Sequence, residues 1–153
     1  MFRYASPLNN LAGLALSEGD NDTAAALLDR ALALDPNYGD AKINRSLVAR
    51  RRGNLDGARR ELQEAAKDAR AAGRARMELA FLDLASGRPA EAAVELEKAR
   101  QNLGDRTDVL NALAESYTRM NDLRKASATL KQSLAIDPEQ PEVRVALNKL
   151  DKQ

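Results

Sequence analysis

Gly19-Asp20-Asn21-Asp22-Thr23-Ala24-Ala25-Ala26-Leu27-Leu28-Asp29-Arg30-Ala31 decides the fold, because its skeleton returns every 34 residues. Gly19 recurs as Gly53 and Gly87. Ala24 recurs as Ala58, Ala92 and Ala126, and Leu28 as Leu62, Leu96 and Leu130. Ala31 recurs as Ala65 and Ala99, with Ser133 in the fourth copy. A fixed period of this size marks stacked supersecondary units, none of which can bury its apolar face alone. Within the unit, glycine is the cheapest residue for the left-handed turn that ends a helix. The Asp/Asn cluster after it supplies capping oxygens, and Ala24, Leu27, Leu28 and Ala31 then fall on one face of a helix.

Upstream of the quoted stretch, Leu8, Leu11, Ala12 and Ala15 stand at i, i+3, i+4 and i+7, which predicts a helix entered through Pro7, with Ser6 as its cap. Downstream, Asp35-Pro36 closes the unit, since proline cannot continue a helix. The second unit runs from Gly39, with Ile43, Leu47, Val48 and Ala49 on its first helix and Ala58, Leu62 and Ala65 on its second. Arg70 replaces the closing proline, so that helix is expected to reach Ala72 and break at Gly73. The third unit carries Leu79, Ala80, Phe81 and Leu84, then Ala92, Leu96 and Ala99. The fourth carries Leu110, Leu113, Ala114 and Tyr117, turns at Asn121-Asp122, and continues through Ala126, Leu130 and Leu134 to Asp137-Pro138. A last segment, 141–153, reads as a capping helix with Val143, Leu147 and Leu150 inward. The expected organisation is a single domain over 1–153, with repeats at about 5–38, 39–72, 73–106 and 107–140.

Composition agrees. Of the 153 residues, 44% are apolar and only 3% aromatic, and Ala with Leu is the material of close-packed helices. Cysteine and histidine are both absent, which removes disulfides, thiolate zinc sites and His-based acid–base chemistry. No metal site or cofactor is expected. Carboxylate pairs such as Glu61/Glu64 and Glu91/Glu95 read as solvated helix faces, and no phosphate loop or nucleophile elbow occurs, so no catalytic residue is assigned. The net charge is +1, but residues 45–76 hold ten Arg/Lys against four acids. That stripe is either a solvated face or a surface for an acidic partner. The shortage of aromatics and the near-neutral total argue against nucleic acid. No apolar run is long enough to cross a membrane. The start, Met1-Phe2-Arg3-Tyr4, lacks the apolar core of a signal peptide and leaves little room for a polar cap. The chain is therefore expected to be a piece of a longer one. A complete chain would be cytoplasmic; a piece could derive from a periplasmic or membrane-associated protein.

The repeat resembles the tetratricopeptide repeat: 34 residues, two antiparallel helices, a small-residue signature and a terminal proline. Leu11-Ala12, Leu79-Ala80 and Leu113-Ala114 match the pair on the first helix, and Tyr117 matches the aromatic that follows. Ala15, Ala49 and Asp83 depart from that aromatic, and Arg45-Ser46 replaces the pair in the second copy. The resemblance implies an all-α, right-handed superhelical solenoid of helix hairpins, acting as a non-catalytic protein–protein interaction scaffold. Such modules occur in envelope, pilus and secretion assemblies. The resemblance also implies a concave groove lined by first helices. Mapped here, it takes in Asn9, Asp40, Ile43, Leu47, Arg50, Arg51, Arg74, Met77, Phe81, Leu84, Asn111, Glu115 and Arg119. An apolar middle with arginine borders fits a peptide or amphipathic helix with acidic flanks. The alternatives are packing of Ile43, Met77 and Phe81 against neighbouring helices, self-association through exposed solenoid ends, and an RNA-binding helical repeat. A carboxylate clamp for a chain terminus is not expected, because Gly13 and Glu78 stand where that site needs Asn and a cation.

Overall fold

Glycines spaced 34 apart do what the period requires of them in the computed structural model, which describes residues 4–152. Gly19, Gly53 and Gly87 have φ of 82°, 77° and 70°, and Asn121 takes the same role at 60°. Each ends the first helix of a hairpin. Among the described residues the elements are helices only: α1 (Ala5–Ser17), α2 (Asn21–Leu34), α3 (Gly39–Arg51), α4 (Leu55–Ala65), α5 (Ala72–Ala85), α6 (Pro89–Leu103), α7 (Thr107–Arg119), α8 (Leu123–Ile136) and α9 (Pro141–Leu150). The expected Met1-Phe2-Arg3 start and the terminal Gln153 lie outside the described residues.

Side-chain caps start three of the second helices. Asp20 accepts from the Thr23 amide at 3.0 Å, Asn54 from Gly57 at 2.8 Å, and Asp122 from Lys125 at 3.2 Å. Each bond satisfies one of the amides that a helix N-terminus leaves without a partner. The fourth of these helices, α6, starts at Pro89 instead, where the missing N–H costs nothing.

Two expectations are corrected. α1 begins at Ala5 with Tyr4 in the cap position and no side-chain cap, so Ser6 lies inside the helix. α4 stops at Ala65 rather than Ala72, and Gly73 falls inside α5. Asp68 is the reason. Its Oδ1 accepts from the Arg70 amide at 3.0 Å, and its Oδ2 from the Gly39 amide at 3.2 Å. The first bond is the short-range turn that aspartate favours. The second ties this loop to the start of α3, where Gly39 is needed because an added Cβ would strike Ala71 and Asp68.

The chain divides into two compact units, one up to Glu78 and the other from Leu79. In the first, α1 packs on α2, α2 on α3 and α3 on α4. Ala12, Leu16, Ala24, Leu28, Ala31, Leu32, Ala41 and Val48 form one buried cluster, with Leu8, Leu27, Tyr38 and Leu47 packed on its margin. Leu28 is wholly buried, which stabilises the unit by about 1.5–3 kcal/mol relative to exposure. In the second, α6 packs on α7, α7 on α8 and α8 on α9. Leu96, Val109, Leu110 and Leu113 are 0% exposed there. Ala114, Leu130 and Val143 form the last cluster, flanked by Leu134, Leu147 and Leu150.

Candidate functional site

In the first unit α1, α3 and the start of α5 carry eight of the expected groove residues. Asn9 is buried, and its Oδ1 accepts from Asn44 Nδ2 at 2.8 Å. Ile43 is also buried, at 7% exposure, and offers little surface. Leu47 and Met77 are half-buried. Asp40, in the first turn of α3, accepts from Arg74 Nη1 at 2.8 Å, and Arg50 lies 3.6 Å from Glu78. These pairs are open to solvent, where an ion pair contributes only about 0–1 kcal/mol. A carboxylate from outside could therefore exchange with either at small cost.

Arg51 has a different task. Its Nη1 donates to the Leu16 carbonyl at 2.8 Å and to Asn21 Oδ1 at 3.1 Å. The second unit repeats the device: Arg119 Nη1 donates to the Leu84 carbonyl at 2.9 Å, while its Nη2 donates to Glu115 at 2.6 Å. Leu16 and Leu84 occupy the same repeat position at the ends of α1 and α5, where carbonyls lack helical partners. A guanidinium there also complements the negative end of the helix dipole. Both expected groove arginines thus fasten one first helix to the end of another, 35 residues earlier.

The remaining second-unit residues divide by burial. Leu84 is buried, whereas Phe81 is 38% exposed although Leu79, Ala80 and Leu82 around it are buried. Asn111 is half-buried and donates from Nδ2 to Gln140 Oε1 at 2.8 Å. Nearby, Tyr117 donates to Glu97 at 2.9 Å. Burial first, then the Glu97 carboxylate, push its phenol up to about 12. That hydrogen bond joins α7 to α6.

Of the carboxylates raised by the sequence, Glu61 is engaged with Arg45 at 2.8 Å, Glu64 with Lys67 at 2.6 Å and Glu95 with Lys98 at 2.8 Å. Among the described residues no group of three or more His, Cys, Asp or Glu is placed to hold a metal ion, and no helix is long and apolar enough to cross a membrane. The basic 45–76 stripe is extensively paired, through Arg52 to Asp22 and Arg70 to Asp68 besides the pairs already given. A hollow of about 850 Å³ opens in the first unit beside Asp35, Tyr38, Lys42, Lys67 and Arg70, with charges of both signs on its walls. The sequence reading placed Leu11 on the apolar face of the first helix with Leu8, Ala12 and Ala15; in the structure Leu11 is 52% exposed, and Leu14 57%, although Leu79 and Leu82 at the same repeat positions are buried.

Comparison with known proteins agrees with this geometry. The description "Tetratricopeptide repeat" matches residues 15–80 and 83–150. The chain belongs to the tetratricopeptide repeat family. Members of that family are in general non-catalytic modules that bind other proteins or peptides, and this chain has the fold of such a scaffold. A search of curated proteins found no match. Among solved structures, PilF of Pseudomonas aeruginosa superposes with a TM-score of 0.85 at 24% identity, over 96% of this chain and 67% of that one. MamA (residues 41 to the end) from Desulfovibrio magneticus RS-1 gives 0.81 at 15% identity, over 97% and 84%. YrrB, described as a TPR protein with an unusual peptide-binding site, gives 0.75 at 20% identity, over 95% and 75%. At these identities the likeness is one of fold.

Proposed function

We propose that this chain is a scaffold that binds a peptide or amphipathic helix of a partner protein on the faces of its first helices. The observation that carries the reading is Phe81. A phenyl ring 38% exposed among buried neighbours keeps apolar surface in water that a partner side chain would cover. Leu47 and Met77 offer half-buried apolar surface in the first unit, and Arg50 and Arg74 stand ready to trade their exposed partners for carboxylates of the ligand. Arg51 and Arg119 are set aside from binding, since both are engaged with carbonyls of the chain itself. YrrB supports the reading as a protein of this fold described with a peptide-binding site. The setting we propose, an envelope, pilus or secretion assembly of a bacterium, rests on the family resemblance.

A displayed peptide library selected against the intact chain tests the function. Enriched sequences should carry one or two large apolar residues, with Asp or Glu in those that bind the first unit, and Phe81→Glu should weaken at least tenfold those that bind the second. Enrichment without that pattern, or affinity unchanged by Phe81→Glu, would remove the reading.

A further inference from the structure

Residues 45–76 carry a surplus of positive charge, and read along the chain that surplus asks for an acidic partner. In space much of it is already met. Arg45 lies 2.8 Å from Glu61, Lys67 lies 2.6 Å from Glu64, Arg52 pairs with Asp22, and Arg51 donates to the Leu16 carbonyl. On the first-helix faces, Arg50 and Arg74 each stand beside an anion: Glu78 is 3.6 Å from Arg50, and Asp40 is 2.8 Å from Arg74. The half-buried apolar residues there belong to the same two helices. Leu47 lies one turn before Arg50 on α3, and Met77 lies one turn after Arg74 on α5, next to Glu78. The apolar surface on offer is therefore accompanied by two cations and two carboxylates. All four charged side chains are between 39% and 58% exposed, within reach of a ligand.

We infer, resting on the peptide-binding reading above, that the segment of a partner protein bound by the first unit carries both signs of charge beside its apolar residues and is close to neutral. A ligand carboxylate that takes Arg50 releases Glu78, and one that takes Arg74 releases Asp40. A purely acidic ligand then faces two carboxylates stripped of their cations, and like charges brought together at an interface cost affinity. A ligand with Lys or Arg beside each Asp or Glu satisfies all four side chains. Where the ligand is helical, its opposite charges stand at i,i+3 or i,i+4, the spacings that share a helix face.

The test starts from a displayed peptide, selected against the intact chain, whose binding is lost in Leu47→Gln, or in Met77→Gln where the first variant loses helical circular dichroism. Three versions keep its apolar residues and carry Glu with Lys, Glu alone or Lys alone at the other positions. Isothermal titration at low salt reads each affinity. The mixed version should bind at least tenfold tighter than either of the others. Asp40→Asn/Glu78→Gln in the protein should reverse the order in favour of the acidic version, and Arg50→Gln/Arg74→Gln in favour of the basic one. Asp40 lies in the first turn of α3, where an acid suits the helix dipole, so Glu78→Gln alone serves if the double variant loses helix. An acidic version that binds the unaltered chain as tightly as the mixed one overturns the inference and leaves the wider peptide-binding reading standing. A selection that yields no peptide sensitive to Leu47→Gln or Met77→Gln removes the first-unit face and the inference with it. A concentration-dependent dimer in sedimentation velocity that Leu47→Gln abolishes assigns the face to a second copy, and overturns it too.

Discussion

Replacing Leu11 and Leu113 by alanine, one at a time, compares one repeat position in two environments. Leu113 is 0% exposed between α6, α7 and α8, so Leu113→Ala loses the full transfer free energy of the removed groups and leaves a cavity, about 2–5 kcal/mol together. Leu11 is 52% exposed, so Leu11→Ala loses roughly half of the 1.5–3 kcal/mol that full burial provides and leaves no closed cavity, about 1 kcal/mol. The two residues lie in different units, and repeat proteins need not unfold in one step, so Leu28→Ala serves as the buried reference within the first unit. Urea unfolding followed at 222 nm reads the result. With a slope of about 2 kcal/mol/M, Leu113→Ala and Leu28→Ala should each lower the midpoint of their unit by roughly 1–2.5 M, and Leu11→Ala by roughly 0.5 M. A Leu11→Ala loss equal to Leu28→Ala would mean that Leu11 is already covered in the free protein. The contrast between an exposed and a buried leucine at one repeat position would then fall.

Gly39→Ala should destabilise the first unit by about 1–3 kcal/mol, because its methyl group would meet Ala71 and the Asp68 side chain; a midpoint unchanged in urea would refute the tie between the two loops. Gly57→Ala should fail to gain the helix propensity of alanine, since the new Cβ would collide with the capping Asn54, and Asn54→Ala should itself cost about 1 kcal/mol in the same assay. The Tyr117 phenol is raised from 10.0 to about 12, so it stabilises the fold while protonated; that contribution is complete below pH 10 and lost as pH climbs through about 12. An absorbance titration at 295 nm should therefore lose its highest step in Tyr117→Phe, and the thermal midpoint of the variant should fall less between pH 9 and 11 than that of the parent. Arg119→Met should lower the stability of the second unit by about 1–3 kcal/mol, through the carbonyl of Leu84 left without its charged donor, while peptide binding at Phe81 persists.

Local chemistry made most of the fold legible. A residue that must adopt positive φ narrows the choice to glycine or asparagine, so a 34-residue rhythm of such residues locates every hairpin turn. Capping is equally local: Asp20, Asn54 and Asp122 reach amides three residues away. The end of α4 was not legible, because Asp68 stops the helix by bonding to Arg70 nearby and also to Gly39, 29 residues back. Helical periodicity reports which residues share a face and says nothing about a loop held by a distant amide. The same limit explains Ile43 and Leu84: apolar spacing placed them on a helix face, but only packing decides that they are buried while Phe81 is not.

The arginines carry that distinction furthest. Read along the chain, Arg50, Arg51, Arg74 and Arg119 are four equivalent cations beside an apolar strip. In space they divide into two kinds, according to what each guanidinium meets. Arg50 and Arg74 meet exposed carboxylates, which a ligand can replace at little loss. Arg51 and Arg119 meet the carbonyls of Leu16 and Leu84, to which Gly19 and Gly87 also donate their amides. Each therefore joins the glycine turn of one hairpin to the first helix of another. Arg51 Nη1 alone holds both the Leu16 carbonyl and Asn21 Oδ1, and Arg119 uses Nη1 for the Leu84 carbonyl and Nη2 for Glu115, so the second device uses the fork of the guanidinium. A cation that a ligand cannot recruit without loosening the repeat acts as part of the scaffold. On this ground the proposed binding role falls to Arg50 and Arg74, although all four looked alike in sequence.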